Sequence, residues 1–169
     1  MDVLLVMNPQ NSFLSEKGRV YMGERAEILK IRLADYLSRF TRKIIFFREK
    51  HALEDKFFIS DKTHSVTNTP DFSICDSLKE FADDIIDKTR YNAFYETPLE
   101  RILLQLKAKH IGIVGVETHS SVLFTAEELR NRLYEVTVIE PCVMSREDYL
   151  HGYSITLMCH LLGVSIANE

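Results

Sequence analysis

Short runs of uninterrupted apolar residues alternate along this chain with longer segments in which apolar positions recur at helical spacing. Val3 to Met7 is apolar throughout and is closed by Asn8-Pro9, which predicts a strand buried on both faces. From Glu24 to Phe40, the residues Ala26, Leu29, Leu33, Leu37 and Phe40 return every three or four positions with charges between them, which predicts an amphipathic helix. Ile44 to Phe47 predicts a second buried strand. Between Arg48 and Ser73 no period holds and Asp, Lys, Thr, Asn and Pro dominate, so this stretch is expected to be a long loop. Long ordered loops in compact domains usually serve function.

Further on, Phe81 to Lys88 contains Ile85-Ile86, expected as a third strand ending at Lys88. Thr97-Pro98-Leu99-Glu100 opens a helix with three start signals: Thr as N-cap, Pro at the first helical position and Glu at the capping-box position. Its inner face is expected to be Leu99, Ile102, Leu103 and Leu106. A fourth strand, Ile111 to Val114, stops at Gly115, and a helix begins at Thr118 with Val122, Ala126, Leu129 and Leu133 facing inward. Val136 to Ile139 is a fifth strand, stopped by Pro141. Ser145-Arg146-Glu147-Asp148 opens the last helix, with Tyr149, Tyr153, Leu157 and Leu161 at four-residue spacing, and Val164 to Ile166 supplies a sixth strand. Apolar strands alternating with helices predict an α/β fold, a three-layer αβα sandwich around a six-stranded parallel sheet. At 169 residues one domain, spanning 1–169, has enough length for such a core.

Composition narrows the partners. A formal net charge of −4 gives no global attraction to nucleic acid or anionic membrane, so neither is expected. No apolar stretch approaches the ~18 to 20 residues of a membrane span, and the N-terminal apolar run lacks the length and basic flank of a signal peptide. Cys75, Cys142 and Cys159 are widely spaced and odd in number, which argues against a disulfide framework and fits a reduced, cytoplasmic setting.

In open parallel sheets, ligands bind beyond the carboxyl ends of the strands, where strand order reverses. Applied here, that rule gathers Asn8 after strand one, Glu49 and His51 after strand two, Lys88 at the end of strand three and Ser121 after strand four. Ser121 falls in the first turn of its helix, where unpaired N–H groups and the helix dipole favour negative charge. The plainer reading is that Thr118, Ser120 and Ser121 cap that helix.

Three segments together resemble the isochorismatase-like cysteine hydrolases, which include nicotinamidases and other small-amide hydrolases. The family's first strand ends in an aspartate followed by x-Q-N-D-F. Here Asn8-Pro9-Gln10-Asn11-Ser12-Phe13 keeps Gln, Asn and Phe with Asn at the aspartate position. The family lysine and its following segment match Lys88-Thr89-Arg90-Tyr91-Asn92-Ala93-Phe94-Tyr95-Glu96-Thr97-Pro98-Leu99. The nucleophile turn, G-V-x-T-x-x-C-V, matches Gly115-Val116-Glu117-Thr118-His119-Ser120-Ser121-Val122 with Ser at the cysteine. The resemblance implies a catalytic triad at Asn8, Lys88 and Ser121, and a non-proline cis peptide at Val116-Glu117 that aims the turn (Val116, Glu117, Ser121) at an oxyanion.

Two of the three positions are substituted. A serine hydroxyl is far less acidic than a thiol with pKa near ~8.5, and a carboxamide cannot shuttle a proton. The inherited cysteine mechanism is therefore expected to be absent. One rescue remains open: without the aspartate anion, a dry Lys88 loses its proton more readily and serves as base for Ser121. A displaced nucleophile at Cys142 is a second, against the commoner role of a buried structural thiol. The resemblance also implies a metal set. Glu49-Lys50-His51 and the segment from His64 follow the family's D-x-H and H-C-x-x-G-T with Glu for Asp, Ser for Cys and Asn for Gly, so Glu49, His51 and His64 are candidate ligands for zinc or a similar divalent ion. Solvation and local hydrogen bonds are the alternative role for these histidines. His119 is expected in a loop and His160 on a helix face. Two functions follow: a diverged member that binds a small ligand or acts through assembly, and a small-amide hydrolase using a Ser121/Lys88 pair. The resemblance implies self-association into a homo-oligomer, and the last two helices carry enough apolar surface to allow it.

Overall fold

The computed structural model describes residues 1–57 and 63–168. Six parallel strands form one sheet in the order β3-β2-β1-β4-β5-β6. They are β1 (Val3–Met7), β2 (Lys43–Glu49), β3 (Asp84–Lys88), β4 (His110–Val116), β5 (Glu135–Met144) and β6 (Ser165–Ala167). The chain starts in the middle, winds outward to β3, then crosses back to β4. Strand order therefore reverses at the seam between β1 and β4, the place where such sheets open a crevice.

Successive strand residues point to opposite faces. Val3, Leu5 and Met7 pack on one side against Leu99 and Leu103 of α4 (Leu99–Gln105), Ala126 and Leu129 of α5 (Leu123–Asn131) and Met158 of α6 (Asp148–His160). Leu4 and Val6 pack on the other side against Phe13 and Leu14 of α1 (Asn11–Leu14), Leu29, Leu33 and Leu37 of α2 (Arg25–Arg39) and Leu78 of α3 (Asp76–Lys79). This is the expected three-layer αβα sandwich. The short helices α1 and α3 are too brief to carry a detectable period.

Three expectations about faces and ends are corrected. Strand β5 does not stop before Pro141 but runs to Met144. Its register against β4 shifts between the Ile113 and Gly115 pairs, and Pro141 lies inside that irregularity, where no ladder N–H is required. Leu106 and Leu133 do not belong to the inner faces of α4 and α5. Each helix ends before them, so the helical period no longer directs their side chains; Leu133 has φ 65° and is 89% exposed. On α6 the buried positions are Ser154 and Met158, with Tyr149, Tyr153 and Leu161 turned outward at 72, 63 and 74% exposure. The two rows are one residue apart, a rotation of about 100° around the helix.

The unpatterned stretch after β2 is tied down by a bridge between His51 and Val66 and by a 3₁₀ turn at Pro70–Phe72, while a bridge between Gln10 and Ile74 fixes its far end. Residues 58–62 of this expected loop lie outside the described residues.

Candidate functional site

The carboxyl ends of β1 to β4 bring the anticipated polar residues together. Asn8 follows β1 with φ 49°, a left-handed backbone that Asn tolerates better than most residues, and its N–H donates to the Phe47 carbonyl at 2.9 Å. Glu49 and Lys88 end their strands side by side, as partners in the β2–β3 register. Gly115, one residue before β4 ends, pairs with Met7 in register. Its φ is 106°, and a Cβ there would stand 2.1 Å from the Met7 carbonyl oxygen. The Val116-Glu117 peptide is cis, as the resemblance implies. A single π-helical turn, Thr118–Val122, then places Ser121 at the N-terminal end of α5, within the helical segment where it was expected.

Glu49 sits at the centre of this group. Its Oε1 accepts from Asn8 Nδ2 at 2.7 Å, from Ser121 Oγ at 3.0 Å and from Lys88 Nζ at 3.1 Å. Lys88 Nζ also donates to Ser121 Oγ at 3.0 Å and to the Arg90 carbonyl at 3.1 Å, and Asn8 Nδ2 lies 2.8 Å from the Val116 carbonyl and 3.0 Å from Ser121 Oγ. Asn8, Glu49, Lys88 and Ser121 are all buried. Burial alone raises the Glu49 pKa, but the Lys88 ammonium and the hydrogen bonds from His51 and His64 outweigh it and hold the carboxyl well below its usual range. Burial pulls Lys88 below the usual lysine value, and Glu49 opposes that pull. The idea that the change to Asn at position 8 leaves Lys88 without a counter-ion is thereby corrected: Glu49 supplies the anion.

The other carboxylate oxygen, Glu49 Oε2, faces the two histidines, with His64 Nε2 at 3.0 Å and His51 Nε2 at 3.2 Å. The ligand atoms of Glu49, His51 and His64 all lie within 4.8 Å of one another, so these three buried residues could hold a metal ion. Tetrahedral zinc with bonds of about 2.0–2.1 Å keeps its ligands roughly 3.3–3.4 Å apart, near the two separations between Glu49 Oε2 and the histidines.

Gln10, Tyr91 and Arg146 had no role assigned from sequence, and Glu117 had one only as part of the oxyanion turn. Gln10, fully buried, brackets the Glu49 backbone: its Nε2 donates to the Glu49 carbonyl at 2.9 Å, and the Glu49 N–H donates to its Oε1 at 2.7 Å. Glu117, 6% exposed, pairs with Arg146, whose Nε and Nη2 donate to its two carboxylate oxygens at 2.8 and 3.2 Å. Tyr91 stacks on Phe124 at 6.0 Å and meets the edge of Phe57 at 5.2 Å. Burial raises its hydroxyl pKa, and the negative charges of Glu49 and Glu117 add to the effect. The retained Gln10 beside the changed Asn8 was the sequence signal for the bracket; nothing local in the sequence pointed to Tyr91 or Arg146.

The remaining candidates separate from this cluster. His119 lies in the π-helical turn rather than a loop, with Nδ1 2.9 Å from Ser145 Oγ. His160 is exposed at the end of α6, as expected. Cys142 Sγ donates to the Arg32 carbonyl at 3.7 Å on the α2 side of the sheet, and burial pushes its thiol up to about 11, a structural thiol rather than a displaced nucleophile.

An open parallel α/β sandwich with a charged, buried cluster across its switch point is the class that fold and site define. Within that class the chain belongs to the isochorismatase family, because the isochorismatase domain is matched over residues 2–169. It is similar to the uncharacterized isochorismatase family protein YaaI of Bacillus subtilis (strain 168), at 35% identity over 88 residues, covering 52% of this chain and about half (49%) of that protein. The fold superposes on the crystal structure of nicotinamidase/pyrazinamidase PncA from Bacillus subtilis with a TM-score of 0.89, at 22% identity over 98% of both chains. The pyrazinamidase of Pyrococcus horikoshii, solved in complex with zinc, superposes with a TM-score of 0.87 at 24% identity, covering 99% of this chain and 98% of that one.

Proposed function

We propose that this isochorismatase-family chain has lost the cysteine-hydrolase route and that the triad positions Asn8, Lys88 and Ser121 now form the polar floor of a small-ligand site. The observation that carries this reading is the state of Ser121 Oγ. It accepts from Lys88 Nζ at 3.0 Å and gives its proton to Glu49 Oε1, with Asn8 Nδ2 also 3.0 Å away, so an atom already less nucleophilic than a thiolate is held by an ammonium. The half-buried Tyr91 between the exposed Phe57 and Phe124, within electrostatic reach of Glu49, supports a flat, ring-bearing ligand. The test is a panel of small amides, nicotinamide and pyrazinamide included, assayed with the wild type and Ser121→Ala. The expected result is equal, background turnover in both proteins, with ring-bearing members raising the melting temperature of each. Turnover that depends on Ser121 overturns the proposal.

A second reading, a hydrolase in which Ser121 attacks a small amide, is favoured by the same short contacts from Ser121 Oγ to a carboxylate and an ammonium. Stoichiometric labelling of Ser121 by a serine-directed phosphonylating probe is its signature.

The convergence of His51 and His64 on Glu49 Oε2 supports a divalent ion, zinc being the best match. At a zinc concentration ~100-fold above Kd the fold gains about 2.7 kcal/mol, roughly 5–10 °C in Tm, and His64→Ala is expected to abolish that gain. Bound, the ion supplies Lewis-acid polarisation of an oxygen on the ligand. Three free cysteines support a reduced, cytoplasmic setting, and among the described residues no helix is long and apolar enough to cross a membrane. The outward row Tyr149, Tyr153 and Leu161 supports a homo-oligomer.

A further inference from the structure

We infer that the carboxylate serving Lys88 and Ser121 in this site is the one at position 49, where the resemblance places a metal-ligating aspartate, and that Asn8 is the neutral residue that makes room for it. Glu49 is the positioning residue for Lys88 and Ser121, holding both through one carboxylate oxygen, where the resemblance implies an aspartate at position 8 that moves protons. Among the described residues, Lys88 pairs with no carboxylate other than Glu49. The Ser121 hydroxyl donates to the same oxygen.

The Asn8 amide fixes which way round the exchange works. Its Nδ2 faces two oxygens that accept and cannot donate, Glu49 Oε1 at 2.7 Å and the Val116 carbonyl at 2.8 Å. An aspartate at position 8 would put an anionic oxygen in that place, against a second carboxylate and a carbonyl. At such a separation in a buried site, like charges repel by many times their energy in water. Two ionised carboxylates, one at position 8 and one on Glu49, therefore do not coexist in this geometry unless one takes up a proton, whereas Asn8 with Glu49 leaves one anion for one ammonium.

Side-chain length completes the exchange. Gln10 anchors the Glu49 backbone on both sides, so the reach of the side chain decides what it touches. A glutamate spans from Lys88 and Ser121 at Oε1 to His51 and His64 at Oε2. The extra methylene relative to aspartate gives one carboxylate two sets of partners. Any ion held by the histidines therefore shares its carboxylate with Ser121 and Lys88.

The test reads stability rather than turnover, so its outcome is independent of whether the protein hydrolyses anything. Thermal melts at neutral pH compare Asn8→Asp, Asn8→Ser, Glu49→Gln and the double variant Asn8→Asp/Glu49→Gln. Asn8→Asp is nearly isosteric, and a purely steric role predicts that it is milder than Asn8→Ser. The single-carboxylate reading predicts the opposite order, with Asn8→Asp lowering Tm by about 10 °C or failing to fold, and Asn8→Ser costing less. It also predicts rescue: the double variant melts above both Asn8→Asp and Glu49→Gln, because one anion again faces Lys88. Asn8→Asp as stable as the wild type or milder than Asn8→Ser, or additive losses in the double variant, overturns the inference.

Discussion

Gln10 and Glu49 are joined backbone to side chain in both directions, the Gln10 amide closing a ring with the Glu49 N–H at 2.7 Å and the Glu49 carbonyl at 2.9 Å. The third contact of Gln10, to the Phe72 carbonyl at 3.0 Å, ties the same amide to the 3₁₀ turn. One side chain thus sets the height of Glu49 relative to Lys88, Ser121 and the histidines. Gln10→Ala strands the Glu49 N–H without its partner in a buried place and is expected to cost about 2–4 kcal/mol in chemical denaturation. It should also weaken zinc retention, although Gln10 is not itself a candidate ligand. Unchanged stability together with unchanged zinc retention would remove Gln10 from the site.

Two glycines offer opposite expectations from one substitution. Gly115→Ala forces a Cβ to 2.1 Å from the Met7 carbonyl at φ 106°, so both sterics and backbone oppose it, and an insoluble product or a loss above about 3 kcal/mol is expected. Gly152 on α6 meets nothing within 4 Å of an added Cβ. Gly152→Ala should raise stability by about 0.5–1 kcal/mol through helix propensity alone. Paired urea melts of the two variants measure both.

Protonation of His151 should weaken the fold. Its Nδ1 shares a 2.9 Å hydrogen bond with Thr118 Oγ1 in the π-helical turn, and burial lowers its pKa from the ordinary histidine value of 6.5, with Glu140 and Asp148 opposing and Arg25 assisting. A depressed histidine pKa means that the unfolded chain binds the proton first. Stability therefore falls as pH drops below 6.5 and levels off once the pH passes below the folded-state value. His151→Asn should flatten this slope. Melts of both proteins between about pH 7.5 and about pH 5 test it, and parallel curves count against the assignment.

Tyr149 and Tyr153 are the residues whose exposure best reports assembly. Wild-type protein is expected to sediment above the 19.6 kDa of a single chain. Replacing both tyrosines by glutamate should return it to that mass with an unchanged circular dichroism spectrum. A monomeric wild type removes this role for the α6 row.

What could be read from sequence follows physical locality. Val3 to Met7 and Ile111 to Val114 declared themselves because a central parallel strand is apolar on both faces, and α2 because Ala26, Leu29, Leu33 and Leu37 all meet the sheet. The passage of β5 through Pro141 was hidden because it depends on a register shift against β4, a property of two strands rather than one. On α6 the apolar row was visible but its direction was not, since Tyr149 and Tyr153 pattern like core positions while the small Ser154 lies inside. The site's membership was legible from strand ends. The span of Glu49 from Lys88 to His64 was not, because position 8 and position 49 are 41 residues apart and only their approach in space joins the two substitutions.

The outer strands of the sheet have a consequence for how copies of this chain meet. On β3 the outward Asp84 pairs with Lys43 and the half-buried Asp87 with Arg48, while β6 is three residues long. Charged side chains on one margin and brevity on the other discourage a foreign strand from adding to either end. Growth of the sheet from molecule to molecule, the route toward fibrous aggregates, is disfavoured at both margins. The helical flanks are then the faces on which any assembly of copies is expected.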